Sequence, residues 1–132
     1  MAGRSTDGFR TFEDLECWKA CRVLRRWVSE QVRKLPREEK YRLGDQMIRA
    51  GRSTTANIAE GYGRFHYQET VQFCRQSKGS AYEILDHLIA AEDDGLVDKV
   101  VVQRCRELVQ QAVLLLNGYI RYLLRRKNGT AE

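Results

Sequence analysis

Proline and histidine are almost missing from this 132-residue sequence, which carries one proline and two histidines. A chain with a single helix breaker, Pro36, leaves long stretches free to stay helical. The shortage of histidine bears on chemistry. Two-metal sites in helical bundles use Glu-x-x-His pairs, but Gly63 stands three residues before His66 and Ile84 three before His87. Glu60 and Glu83 therefore read as structural carboxylates, and neither metal nor cofactor is expected. No histidine is placed by sequence beside a cysteine or serine to act as its base. The run Gly61-Tyr62-Gly63 closes a helical pattern and follows no strand, so it is not a phosphate loop. Long apolar runs are also lacking, which leaves no membrane span. Residues 1 to 11 (MAGRSTDGFRT) have no signal-like apolar core, and the expectation is a cytoplasmic protein with reduced thiols.

Charge is abundant instead. Lys and Arg number 23 against 18 Asp and Glu, a net charge of +5, while aromatics make up only 9%. This balance favours helices with charged surfaces, and the length suits one domain with a real core. A basic balance fits an anionic partner without demanding one.

Apolar residues recur at helical spacing in four long segments. Thr11 offers a cap, with Asp14 at the capping-box position, for a first helix from Phe12 to Leu35. Its inward stripe is Cys17, Cys21, Leu24, Val28, Gln31 and Leu35. Pro36 disfavours helical geometry at the residue before it, so Arg37 to Lys40 is expected as a charged connection. The second helix has the stripe Leu43, Met47, Ala50 or Gly51, Thr54, Ile58 and Gly61, with Gly61 and Gly63 as positive-φ terminators. The third is expected from about Gln68 to Asp93 or Asp94, stopped by Gly95. Asp98 caps the fourth, whose expected core residues are Val101, Cys105, Leu108, Ala112, Leu115, Tyr119 and Tyr122, flanked by Val109, Leu116, Ile120 and Leu123. Short links between long helices predict an all-α fold, an up-down-up-down antiparallel four-helix bundle over 12–127. Residues 1–11 and 128–132 are expected as tails, the first of them disordered.

Met47 to Arg64 differs from the rest in being crowded with small residues. Such a helix packs at short range, so its polar residues are expected to hold architecture. Asn57, Glu60, Gly61, Gly63 and Arg64 belong to this seam, with Glu60 paired to Arg64 or Arg75 and with Ser80 and Glu83 joining from the third helix.

The order of signals resembles a known family. Phe12-Glu13-Asp14-Leu15-Glu16 with Trp18 opens it, followed by Leu43, Gln46, Ile48-Arg49-Ala50 and Ser53. Then come Ala56-Asn57-Ile58-Ala59-Glu60-Gly61, Gly63-Arg64, Phe73, Gly79-Ser80, Glu83 and Asn117-Gly118. This is similar to the four-helix-bundle proteins encoded in intervening sequences of bacterial 23S ribosomal RNA genes, a family related to the accessory variability protein of diversity-generating retroelements. The resemblance covers roughly residues 12 to 124 and implies a ring-like homopentamer, a surface that meets RNA or DNA, and no enzyme activity. In the retroelement relatives the partner is a reverse transcriptase.

The basic residues give the strongest functional pointer. Lys19, Arg22, Arg26, Arg33 and Arg37 recur along the first helix, Arg42, Arg49 and Arg52 lie on the second, and Arg121, Arg125, Arg126 and Lys127 close the last. Arginine forks grip phosphate oxygens in pairs, so the first expectation is a non-enzymatic homo-oligomer that binds structured RNA or DNA. The other is a protein-interaction scaffold, such as a reverse-transcriptase accessory, using Trp27, Tyr62, Phe65 and Tyr67.

Overall fold

A computed structural model describes residues 11–127, so both expected tails fall outside the described residues except for Thr11. A 3-10 turn, Phe12–Asp14, leads into α1 (Glu16–Arg33). One short turn of helix, α2 (Arg37–Glu39), passes through a π-helical segment, Lys40–Gly44, into α3 (Asp45–Tyr62). The chain then forms α4 (Tyr67–Asp93) and α5 (Lys99–Lys127). The long helices pack in cyclic order, α1 on α3, α3 on α4, α4 on α5 and α5 back on α1. This is the all-α four-helix bundle, with no strand among the described residues.

The ends follow local chemistry. Thr11 Oγ1 accepts from the Glu13 amide at 3.1 Å, but it caps the 3-10 turn rather than α1. Gly95, at φ +75°, is the positive-φ glycine of the described chain. Its amide reaches Glu92 O at 2.9 Å and that of Leu96 reaches Ala91 O at 2.9 Å, the two bonds of a Schellman stop. Asp98 Oδ1 accepts from the amides of Val100 and Val101 at 3.1 and 3.2 Å and starts α5.

Three expectations are corrected. Arg37 to Lys40 is helical: Pro36 presets the chain at a helix start, and Glu38 and Glu39 complement the dipole of the first turn. Gly61 and Gly63 do not terminate α3 by positive φ, since Gly63 has φ −80° and Gly61 lies inside the helix. Gly61 is small because α4 is close: a Cβ there would stand 2.9 Å from Phe73 Cβ and 3.3 Å from Thr70 O. The core face of α5 is also rotated from the expected one. Val102, Val109, Leu116, Ile120 and Leu123 are buried, whereas Leu108, Leu115 and Tyr119 are half-buried and Tyr122 is exposed. Consecutive apolar residues at 100–102 and 113–116 allow more than one stripe, and packing against both α4 and α1 selects the phase.

The core divides into two apolar clusters. Leu24, Val28, Met47, Ile84, Leu88 and Val109 belong to one, and Cys17, Cys21, Ile58, Cys74, Leu116 and Leu123 to the other. Two fully buried hydroxyls, Thr54 and Ser77, carry polar bonds through this interior. Ser77 Oγ donates to Thr54 O at 2.7 Å, Thr54 Oγ1 donates to Gly51 O at 2.7 Å, and Cys21 Sγ lies 3.8 Å from Ser77 Oγ. Each hydroxyl is satisfied by backbone, as burial requires.

Candidate nucleic-acid interface

Helices α1 and α3 approach closely at Gly51, where an added Cβ would sit 3.4 Å from Arg25 Cγ and 3.6 Å from Arg25 Cα. The missing side chain lets the Arg25 stem lie against α3, and its guanidinium Nη1 donates to Thr55 Oγ1 at 2.8 Å. Arg25 is half-buried and Thr55 is buried, so this pair forms the floor of a cleft. The cleft has a volume of about 570 Å³ and is lined by Arg25, Arg26, Ser29, Glu30, Arg33, Arg52 and Thr55. Four guanidiniums thus share one recess with a single carboxylate. Among the described residues, no ion pair engages any of the four. Four like charges held around a single carboxylate leave an excess of positive charge that suits an anion, and planar guanidinium forks match phosphate oxygens.

The structure separates the basic residues that the sequence grouped. Arg26, Arg33 and Arg52 meet in the cleft, joined by Arg25, which in the sequence flanks the apolar stripe rather than the charged face and so carries no signal of its own. Arg22 continues the exposed face toward the start of α1, with its guanidinium 5.7 Å from the centre of the Trp18 ring. Lys19 points away, toward α5, and pairs with Glu16 at 3.3 Å. Arg49 is exposed on α3, Arg37 is exposed in α2, and Arg42 in the π-helical segment lies 3.8 Å from Glu39. The carboxyl-terminal group forms a different region. Arg121 lines a groove with Leu15 and Gly118, beside the start of α1, whereas Arg33 is its last residue. An 18-residue helix is about 27 Å long, so Arg121, Arg125, Arg126 and Lys127 do not share the cleft. Arg126 lies 5.8 Å from the Tyr122 ring centre.

The small-residue seam joins α3 to α4. Asn57 Nδ2 donates to Ser53 O and Ser53 Oγ, both at 2.9 Å, and Ser53 Oγ lies 2.8 Å from Ser80 Oγ across the interface. Thr70 Oγ1 donates to Gly61 O at 2.8 Å. Glu60 meets Arg64, with Oε2 to Nη2 at 2.7 Å, and the same guanidinium stands 5.0 Å from the Phe73 ring centre. This pair is exposed, so Glu60→Gln is expected to change stability by less than about 0.5 kcal/mol, read from urea denaturation midpoints. Glu83 makes its contact elsewhere: its exposed carboxylate lies 3.2 Å from Nε2 of the largely covered His87, one turn along α4. Ser80 and Glu83, three residues apart, lie on the same side of α4, but Ser80 bonds back to Ser53 whereas Glu83 is turned along its own helix to His87.

The thiols are part of the interior. Burial pushes Cys17, Cys74 and Cys105 up to about 12 and Cys21 up to about 11, the last held lower by the hydroxyls of Ser77 and Thr54 beside it. Protonated, enclosed thiols are poor nucleophiles. Among the described residues no group of three or more His, Cys, Asp or Glu is placed to hold a metal ion. No helix of the described residues is long and apolar enough to cross a membrane.

Compared with known families, residues 13–118 match the model described as 23S rRNA-intervening sequence protein. No curated protein matches the chain. The matched span begins in the 3-10 turn before α1 and includes the cleft, the seam and most of α5. With that match running across every long helix of the bundle, the chain belongs to the 23S rRNA-intervening sequence protein family.

Proposed function

We propose that this protein is a non-enzymatic homo-oligomer, with five subunits favoured, that binds structured RNA or DNA through arginine-rich surfaces and uses no cofactor. The observation that carries the reading is the α1–α3 cleft, where Arg25, Arg26, Arg33 and Arg52 converge around one carboxylate. Arg22 and Arg49 extend the positive surface beyond its rim. The ribosomal RNA context in the family description fits a nucleic-acid partner. The buried thiols speak against a nucleophilic enzyme, since each is held protonated far above neutral pH.

Self-association has a surface to use. Ala20, Val23, Leu108 and Leu115 line a groove between α1 and α5, and Val23 and Leu114 are 54% and 62% exposed. Covering this groove with a second copy removes apolar area from water. Repeating the cleft around a ring then multiplies weak phosphate contacts into strong binding.

Light scattering followed by fluorescence anisotropy with a structured RNA tests the reading. The mass should correspond to an oligomer, and raising salt from 50 to 200 mM should weaken RNA binding on the order of 10²-fold for about four phosphate contacts. Arg26→Glu with Arg52→Glu should remove most of it. Absence of binding at 50 mM salt would overturn it and favour the second reading, a protein-interaction scaffold such as a reverse-transcriptase accessory. That reading is supported by Phe65, which is 92% exposed between the more covered Tyr62 and Tyr67. Trp27, expected beside them, packs against the core instead.

A further inference from the structure

We infer that the α1–α3 cleft takes a compact oligophosphate, two or three linked phosphates, as carried by the 5′ end of an unprocessed RNA or by a free nucleoside triphosphate. This rests on the nucleic-acid reading and narrows it to a chain terminus. Depth is the first argument. The best-positioned donor, Arg25, is half-buried, and its anchor Thr55 is 5% exposed. A duplex is a stiff convex body over the dimensions of this protein, so its backbone rides on rim residues such as Arg22 and Arg49. A terminal oligophosphate is narrow and reaches the floor.

Charge is the second argument. Four arginines and Glu30 line the recess. A phosphodiester brings one negative charge per nucleotide, whereas a triphosphate brings several on one short chain. Arg25 and Arg33 are separated by two turns of α1, about 12 Å along the axis, so the forks can close on successive phosphates of a single group. Preorganisation is the third. The Arg25 guanidinium is already fixed by the 2.8 Å bond to Thr55 and by its stem packing over Gly51, which lowers the ordering cost of binding. Glu30 stands in the same lining as the one group of wrong sign, and it limits how tightly an anion is held.

The test uses the full chain and three probes: inorganic tripolyphosphate, ATP, and one RNA hairpin prepared with either a 5′-triphosphate or a 5′-hydroxyl. Tripolyphosphate should displace the triphosphate RNA, and that RNA should bind at least tenfold tighter than its hydroxyl twin. Arg26→Gln and Arg52→Gln, both at exposed positions, should weaken both RNAs but the triphosphate RNA far more, so that the difference between the two RNA ends is erased. Glu30→Gln should enlarge it. ATP binding as tight as that of the triphosphate RNA assigns the site to free nucleotides, and weaker ATP binding assigns it to transcript ends. Equal affinity for the two RNA ends, or a difference that survives both arginine substitutions, overturns the inference and leaves the nucleic-acid reading standing. Failure of both RNAs to bind at low salt overturns that reading itself.

Discussion

Gly61→Ala should lower the stability of the bundle by about 2 kcal/mol, a large share of what a small domain has. The added methyl would meet Phe73 Cβ at 2.9 Å and the Thr70 carbonyl oxygen at 3.3 Å. Both obstacles belong to the backbone course of α4 and cannot swing aside as a side-chain tip can. α4 must retreat, and retreat stretches the 2.8 Å bond from Thr70 Oγ1 to Gly61 O that closes the α3–α4 turn. Alanine's better helix propensity offers little in return, because Gly61 is the next-to-last residue of α3. Gly79 is the matched control. It lies inside α4, is exposed, and has nothing within 4 Å of an added Cβ, so Gly79→Ala should stabilise by up to about 1 kcal/mol. Urea denaturation of the two variants should therefore move the midpoint in opposite directions. Movement in the same direction would remove the close-approach account.

The other large effect is expected in alkali. All four cysteines are buried, and burial places Cys17, Cys74 and Cys105 at about 12 and Cys21 at about 11, against 9.0 for a free thiol. Tyr119 is also raised by burial. Because the folded values lie above the unfolded ones, the thiols contribute full stability below pH 9, and the contribution is lost between pH 9 and 12. In that window the unfolded chain releases protons that the folded chain retains. Each thiol then costs about 1 kcal/mol per pH unit. Four together should exhaust a typical margin within roughly two pH units of the onset. Circular dichroism across pH 7 to 12 should show a flat plateau followed by a steep cooperative loss of helix. Cys105→Ala should make that loss shallower by one proton, and a thiol reagent should react only as the helix signal falls. A thiol that reacts at pH 8 in the folded protein would contradict its enclosure.

Much of this architecture was legible in the residues. The α1 stripe from Cys17 to Leu35 and the α3 stripe from Met47 to Gly61 fall on the bundle interior because their spacing admits only one buried face. Gly95 and Asp98 mark the α4–α5 turn for reasons local to those residues. The misreadings share a physical cause. Gly61 announced smallness, but smallness serves either a backbone turn or a close neighbour, and the neighbour, Phe73, is a tertiary fact. On α5, surplus apolar residues blurred the phase until α1 and α4 fixed it. The site was legible as a charge type and not as a place. Arg26, Arg33 and Arg52 could be named from one dimension, yet Arg25 joins them only because Gly51 opposite has no side chain. The carboxyl-terminal arginines looked equivalent in sequence and lie at the other end of the bundle.

The ring of helix pairs also sets an order for folding. Helices α3, α4 and α5 follow one another through short turns, so their contacts close small loops and form early. The seam between α1 and α5 is different, because Cys17 and Leu116 share a cluster across most of the chain. Its closure waits until the last helix has been synthesised. Until then, the α1 face carrying Cys17, Cys21 and Leu24 has only α3 and α4 to cover it, and the growing protein emerges with one open flank.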